Sequence, residues 1–178
     1  MAKECKWILK EPADTSKVDR LAAEVGIDRV LAELLVKRGV ETFDQARSFF
    51  RPSLSDLHDP FLMKDMDVAV ERLHKAITGG EKILVYGDYD VDGTTAVALV
   101  YSFIQRFTKK VDFYIPDRYD EGYGVSYKGL DWAAEGGFNL IITLDCGIKA
   151  IDKVEYARSK GMEVIICDHH LPEESIPA

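Results

Sequence analysis

Hydrophobic and polar positions change their spacing near residue 82, and the change predicts two kinds of structure along the chain. Before it, apolar residues recur every three or four positions, as on one face of a helix. After it, short unbroken apolar runs alternate with helical patterns, and such runs are typical of buried strands. We therefore expect a small helical N-terminal arm with its linker over 1–64, and an α/β domain over 65–178.

The arm is expected to hold short helices between residues 15 and 50. Gly39 stands where a helix would end, and Thr42 with Gln45 forms a capping-box pattern at the start of the next helix. A proline-bracketed linker follows, and the helical pattern after it ends at a pair of glycines. The apolar positions of these helices are Leu21, Val25, Val30, Leu31, Leu34, Leu35, Met66, Val70, Leu73 and Ile77.

The second part is expected to form an α/β sheet. Its apolar runs predict strands over 83–86, 111–115, 140–144 and 164–167, separated by helices over 94–107, 126–135 and 148–160. Strands that alternate with helices form parallel, right-handed β-α-β units. We therefore predict a doubly wound, mainly parallel sheet with helices on both faces. The helix over 94–107 is apolar on nearly all sides, which predicts that it is buried.

The charge balance limits how the chain can bind an anionic partner. Its 178 residues include 23 Lys and Arg against 31 Asp and Glu, which gives a net charge of −8. A domain that held nucleic acid by charge alone would carry the opposite sign. Bound divalent cations would supply positive charge where carboxylates are concentrated.

Cysteine use and hydrophobicity favour a reduced, cytoplasmic protein. Cys5, Cys146 and Cys167 are odd in number and lack the C-x-x-C spacing, which argues against a disulfide framework and a zinc knuckle. Charged residues interrupt the first segment, where a signal peptide would be apolar. No apolar run approaches the length that crosses a bilayer, so we expect no contact with a membrane.

Acidic residues follow three of the four predicted strands. Because ligands bind at the carboxyl ends of parallel strands, these residues are expected to meet at one edge of the sheet. Carboxylates gathered there would repel one another unless cations bound, and oxygen with imidazole ligands suits Mn or Mg. The sequence thus predicts a site for two such ions, built from Asp88, Asp90, Asp92, Asp145, Asp168, His169 and His170.

Other interpretations of these residues remain open at this point. Aspartates after strands also serve as helix caps, and a non-catalytic metal-binding module would use the same side chains. The spacing of Asp88, Asp90 and Asp92 matches the start of an EF-hand loop, but its twelfth position is Leu99 rather than glutamate. Asp90 and Asp92 also fit the D-x-D-G-T pattern of haloacid-dehalogenase phosphatases, in which they would be nucleophile and acid.

Two further segments are candidate contacts for a substrate. Thr94 and Thr95 open a helix whose backbone amides can donate to phosphate oxygens. The loop over 116–126, called the 116–126 loop below, carries Arg118 and Tyr123, which could bind a phosphate and stack on bases. The same loop could equally be an ordinary surface turn.

Three motifs in order, YGDYDVDGTT, LDCG and CDHH, make the chain resemble the DHH phosphoesterase family. The segments LLVKRGV, DPFLMKDMDVAV and PDRYDEGYGVS extend the resemblance over nearly the whole chain, and they favour the branch of single-stranded-DNA-specific exonucleases. Pyrophosphatases and small-nucleotide hydrolases share only the acidic motifs and are the alternative branch.

The resemblance also implies roles for individual residues. Asp90 and Asp92 would bind two metals, Asp145 would bridge them and His169 would bind the second. His170 would contact the scissile phosphate, Asp168 would orient a histidine, and Asp88 would lie beside the metals.

The implied activity is 5′ to 3′ hydrolysis of single-stranded DNA in recombination and repair. A single-strand-binding protein or a helicase is the implied partner in the cell. Members of the family continue past the last motif to a further aspartate ligand and a C-terminal domain. We therefore expect this chain to be an N-terminal fragment with little or no activity alone.

Overall fold

A computed structural model describes residues 6–177, so Cys5 lies outside the described residues. The chain divides into two compact units whose border lies between Leu62 and Met63. Within the described range, no helix combines the length and apolar character that a membrane crossing requires.

From residue 6 onward, the first unit contains three α-helices, α1 (Thr15–Val25), α2 (Arg29–Val36) and α3 (Phe43–Phe50). Asp14 and Asp28 cap the first two, and the predicted capping box of Thr42 with Gln45 is confirmed at the third. Val30 and Leu31 point to solvent, because α2 packs through other positions. The core of this unit consists of Val18, Leu21, Ala32, Leu35, Val36, Val40 and Ala46.

Two short 3-10 helices, Leu54–Asp56 and Pro60–Leu62, precede α4 (Met66–Gly79). Gly80 ends α4 in the left-handed conformation that glycine adopts without strain. The packed face of α4 is narrower than the sequence pattern suggests, since Ala76 is buried whereas Val70 is largely exposed.

The second unit is a four-stranded parallel sheet in the order β2-β1-β3-β4. Helices on both faces confirm the predicted doubly wound α/β fold. The elements are β1 (Ile83–Gly87), α5 (Val91–Ile104), β2 (Val111–Tyr114), α6 (Tyr127–Glu135), β3 (Leu140–Leu144), α7 (Ile151–Ser159) and β4 (Glu163–Cys167).

Alternate residues of the central strands pack on opposite layers. Ile83 and Val85 contact a layer that includes α4 and α5, whereas Leu84 and Tyr86 contact a layer that includes α6 and α7. This period of two follows from the pleat of a strand. Both faces of β1 are buried, which explains its unbroken apolar sequence.

Helix α5 differs from its prediction in position and in burial. It begins at Val91 rather than at residue 94, because the Asp90 carboxylate accepts the Gly93 N–H at 2.9 Å and caps the helix. Only one side of α5 packs on the sheet, through residues such as Val97 and Ile104. Phe103 on the other side is 54% exposed, so the expectation that the whole helix is buried is wrong.

Candidate metal centre

The strand register places three aspartates at the same edge of the sheet. Gly87 pairs with Leu144, and Leu144 pairs with Cys167. Asp88, Asp145 and Asp168 are the next residues of these three strands. This edge also includes the switch point between β1 and β3, where the chain order of the strands reverses and ligands of open α/β sheets bind.

Asp88 is fully buried at this edge. Its Oδ1 accepts the Gly124 N–H at 3.1 Å, whereas its Oδ2 has no hydrogen-bond partner among residues 6–177. A buried carboxylate oxygen without a partner is costly unless a cation or a water satisfies it. The free oxygen is therefore suited to a metal, either directly or through water.

Asp145 adopts a left-handed backbone conformation, with φ of 60°, immediately after β3. Its amide donates to the Cys167 carbonyl at 2.8 Å, so the turn stays attached to the end of β4. Its Oδ1 lies 3.0 Å from His169 Nε2, and the His169 ring is otherwise mostly exposed. The turn thus brings a carboxylate and an imidazole together at the rim.

Asp168 is a buried acceptor that fixes the neighbouring histidine. Its Oδ1 accepts from the His170 backbone N–H at 3.0 Å and lies 2.7 Å from His170 Nδ1, while its Oδ2 accepts the Ile148 N–H at 2.9 Å. Burial raises the pKa of Asp168, but the hydrogen bonds from Ile148 and His170 outweigh it, and the net pKa lies below its usual value. An ionised Asp168 holds the His170 ring in one orientation.

Potential ligand atoms of Asp145, His169 and His170 all lie within 4.8 Å of one another. Carboxylate oxygen and imidazole nitrogen are ligands that Mn accepts readily. This donor set fits a divalent cation, and the unpartnered oxygen of Asp88 lies at the same edge of the sheet without being part of the set.

Asp90 and Asp92 are less closely gathered. Both are exposed, Asp90 as the cap of α5 and Asp92 in its first turn, and neither belongs to the three-residue group found among the described side chains. Asp90 is the helix cap, as one of the alternative interpretations suggested. The Thr94 hydroxyl donates to the Asp90 carbonyl at 2.7 Å, and Thr95 is exposed nearby.

The 116–126 loop reaches the same edge. The Tyr123 hydroxyl donates to the Asp145 carbonyl at 3.2 Å and lies 3.3 Å from His170 Nε2. The Arg118 guanidinium lies 5.2 Å from the ring centre of Tyr89, which follows Asp88 in the chain. Tyr89 is absent from the residues that the sequence singles out, because the aspartates on either side of it carry the metal-site signal of that motif.

Burial and nearby carboxylates together raise the pKa of two groups at this edge. Burial raises the pKa of Cys146 to about 12, and Asp88, Asp168 and Asp145 add to the shift. Burial and the same three aspartates raise the pKa of Tyr123 to about 12. Both groups stay protonated at neutral pH, so Cys146 is no nucleophile and Tyr123 is a hydrogen-bond donor.

A family model described as the DHH family, N-terminal domain, matches residues 82–178. The chain belongs to the DHH family. This confirms the resemblance drawn from the three acidic motifs, and it removes the haloacid-dehalogenase and EF-hand alternatives. The matched range contains all the aspartates and histidines of the candidate centre.

Curated relatives with this domain include single-stranded-DNA-specific exonucleases named RecJ. The chain is 42% identical over 177 residues to RecJ of Bacillus subtilis, which covers 99% of this chain and 22% of that protein. It is 41% identical over 117 residues to RecJ of Escherichia coli, which covers 65% of this chain and 20% of that protein. The chain thus spans about a fifth of the length of these relatives.

Two solved structures of RecJ with manganese share the fold. One, a crystal structure of exonuclease RecJ bound to manganese, is 34% identical with a TM-score of 0.61, over 65% of this chain and 30% of that chain. RecJ from Thermus thermophilus in complex with Mn²⁺ is 25% identical with a TM-score of 0.69, over 94% of this chain and 23% of that chain.

Proposed function

We propose that the full-length protein containing this chain is a metal-dependent exonuclease that hydrolyses single-stranded DNA in the 5′ to 3′ direction. The observation that carries the proposal is the convergence of Asp88, Asp145 and Asp168 with His169 and His170 at one sheet edge. The similarity to RecJ exonucleases, which extends along almost the whole chain, supports the choice of substrate.

Manganese or magnesium is the proposed cofactor, with two ions in the intact enzyme. Asp145 and His169 would hold them together with Asp88, and Asp90 and Asp92 would complete the set from the first turn of α5. When bound, divalent ions supply positive charge that offsets the negative charge developing on a phosphate under attack. The manganese in the RecJ structures supports this proposal.

The chain's own residues would orient the scissile phosphate. Asp168 holds the His170 ring through Nδ1, which directs Nε2 toward the Tyr123 hydroxyl, where it could donate a hydrogen bond to a phosphate oxygen when it carries a proton. The Tyr123 hydroxyl lies 3.3 Å from that nitrogen and donates to the Asp145 carbonyl, so a phosphate that accepted from Tyr123 would replace this bond. Both groups would favour a phosphate positioned over the acidic edge.

A DNA strand explains the aromatic and cationic groups beside the centre better than a small substrate does. Tyr89 and Tyr123 lie with their ring centres 6.4 Å apart, and Arg118 lies over Tyr89. Single-strand binders combine aromatic platforms for bases with cations for the backbone. Phosphate binding at Thr94 and Thr95 stays a prediction, as do the cytoplasmic location and a partnership with a single-strand-binding protein or a helicase.

The test is a comparison of substrates with the full-length protein. In the presence of Mn²⁺, we expect single-stranded DNA with a labelled 5′ end to lose the label as short products. Duplex DNA, pyrophosphate and cyclic dinucleotides should be cleaved far more slowly. Preferential cleavage of pyrophosphate or of cyclic dinucleotides would contradict the proposal and favour the other branch of the family.

Two histidine variants, one inside the candidate centre and one outside it, make the assay specific for the centre. His170→Ala should lower kcat by at least about a hundredfold, as loss of a transition-state donor does. His74→Ala, which changes a histidine on α4, outside the candidate centre, should leave the rate unchanged. Equal rates for the two variants would refute the assignment of His170.

A further inference from the structure

Glu121 occupies the middle of the 116–126 loop and accepts several hydrogen bonds. The Tyr114 hydroxyl donates to its two carboxylate oxygens at 3.0 and 2.9 Å, and the Asp117 N–H donates to Oε1 at 2.9 Å. The Ser126 hydroxyl donates to Oε2. One carboxylate thus ties both ends of the loop to the end of β2.

The same network continues inward to the candidate metal centre. The Ser126 N–H donates to the Tyr86 hydroxyl at 3.0 Å, and that hydroxyl donates to the Gly124 carbonyl at 3.3 Å. The Gly124 N–H then donates to Asp88 Oδ1 at 3.1 Å. Because Tyr86 and Asp88 are fully buried, water cannot easily replace these bonds.

The network requires an ionised Glu121, since its partners Tyr114, Asp117 and Ser126 all donate hydrogen bonds to its carboxylate. Burial raises the pKa of Glu121, but hydrogen bonds from Ser126, Asp117 and Tyr114 lower it by more, so the net pKa lies below its usual value. Burial, followed by the nearby Glu121 carboxylate, raises the pKa of Tyr114, so its phenol keeps its proton. At neutral pH Glu121 is therefore ionised and the Tyr114 phenol is protonated, as their hydrogen bond requires.

This loop presents a cation and a phenol beside the acidic edge. Arg118 precedes Glu121 by three residues, is exposed, and forms no ion pair with any residue in the described part of the chain. Tyr123 follows Glu121 by two residues and contacts Asp145 and His170. A rigid loop would fix the distance between a cation and a phenol beside the acidic edge.

We propose that Glu121 is a positioning residue, which holds the 116–126 loop so that Arg118 and Tyr123 engage the DNA strand next to the scissile phosphate. This role rests on the proposed exonuclease function. In this role Glu121 contacts neither the DNA nor the metal. It acts through Arg118, which precedes it in the loop, and Tyr123, which follows it.

The first test measures KM and kcat for single-stranded DNA with the full-length Glu121→Gln variant. The amide keeps the size of the side chain but cannot accept bonds at both terminal atoms. We expect KM to rise about tenfold or more, as the loss of a charge-assisted hydrogen bond implies, with kcat changed by less than about threefold. Affinity for Mn²⁺ should stay within about twofold of wild type, because the ligands keep their places.

Glu135→Gln provides the matched control, since Glu135 is a glutamate at the end of α6, outside this network. It should behave like wild type. If Glu121→Gln also keeps the wild-type KM, or if it loses kcat and Mn²⁺ affinity together with KM, the positioning role is wrong.

A double variant tests whether Glu121 acts through Arg118. Arg118→Gln alone should raise KM, and adding Glu121→Gln should raise it by less than the product of the two separate effects. Effects that simply multiply would mean that the two residues work independently, which would overturn the proposal.

Hydrogen exchange supplies a readout that does not depend on activity. In Glu121→Gln, the amides of Asp117, Gly124 and Ser126 should exchange faster, while those of β1 and β3 keep their protection. If Glu121→Gln fails to fold, Tyr114→Phe removes one donor and leaves the carboxylate, and it should shift exchange and KM in the same direction. A wild-type protein that leaves single-stranded DNA intact contradicts the proposed function, whereas unchanged exchange in the loop contradicts the positioning role alone.

Discussion

Gly93 lies in the first turn of α5, directly against the backbone of Asp88. A Cβ atom at this position would lie 2.5 Å from the Asp88 carbonyl oxygen and 2.7 Å from the Asp88 nitrogen. Contacts this short require the backbone to move, since neither atom belongs to a flexible side chain. Glycine here allows the start of the helix to approach the strand end that carries Asp88.

Gly93→Ala should therefore destabilise the chain, although alanine has the higher helix propensity. We expect a loss of about 1–3 kcal/mol in the free energy of unfolding, which is typical of overpacking. Gly79→Ala is the control, because the nearest atom to a Cβ there is a Glu81 side-chain oxygen at 3.9 Å. That change should be neutral or stabilising by up to about 1 kcal/mol. Urea unfolding of both variants checks this, and equal stabilities would show that the close approach is absent.

At the level of residues, sequence reasoning finds the acids and histidines but not all of their surroundings. Asp88, Asp145 and Asp168 are predictable because each follows an apolar run, and the ends of parallel strands meet at one edge. The capping role of Asp90 is one of several alternatives that the sequence leaves open. Glu121 escapes sequence reasoning, since its partners include phenol and hydroxyl groups that only the folded loop brings together.

Helix α5 shows how composition can mislead at the level of elements. Its sequence is apolar on nearly all sides, yet the sheet covers only one of them. Ile104 is buried at 1% exposure, while its neighbour Phe103 is 54% exposed. The apolar pattern alone cannot tell which side a single sheet covers.

Substitutions on the two sides of α5 should differ sharply in this chain. Ile104→Ala should cost about 2–5 kcal/mol, as the removal of buried methylene groups does. Phe103→Ser should change the free energy of unfolding by about 0.5 kcal/mol or less, as exposed positions do. Denaturant titration of both variants checks the orientation of the helix. A larger loss of stability for Phe103→Ser than for Ile104→Ala would mean that the helix is rotated relative to the structure described.

Element boundaries also depend on details that periodicity does not contain. The sequence pattern places the start of α5 three residues late, because the cap formed by Asp90 recruits Val91, Asp92 and Gly93 into the first turn. The order of the elements and the parallel sheet agree with the prediction, since alternation of strand and helix patterns needs no knowledge of caps.

At the level of the whole molecule, the net charge of −8 and the acidic edge point to the same requirement. Asp88, Asp145 and Asp168 follow three adjacent strands, so three carboxylates are concentrated at one edge of the sheet. An anionic DNA strand would be repelled unless cations occupied the edge first. Binding of divalent metal is therefore the step on which the proposed activity depends.

Calorimetric titration of the full-length protein with Mn²⁺ tests this dependence most directly. Asp145→Asn removes a carboxylate of the candidate centre, whereas Asp67→Asn removes an exposed one from the first turn of α4. Asp67→Asn should bind Mn²⁺ like wild type, and Asp145→Asn should bind it at least about tenfold more weakly. Equal affinity of the two variants for Mn²⁺ would contradict a metal centre at this edge of the sheet.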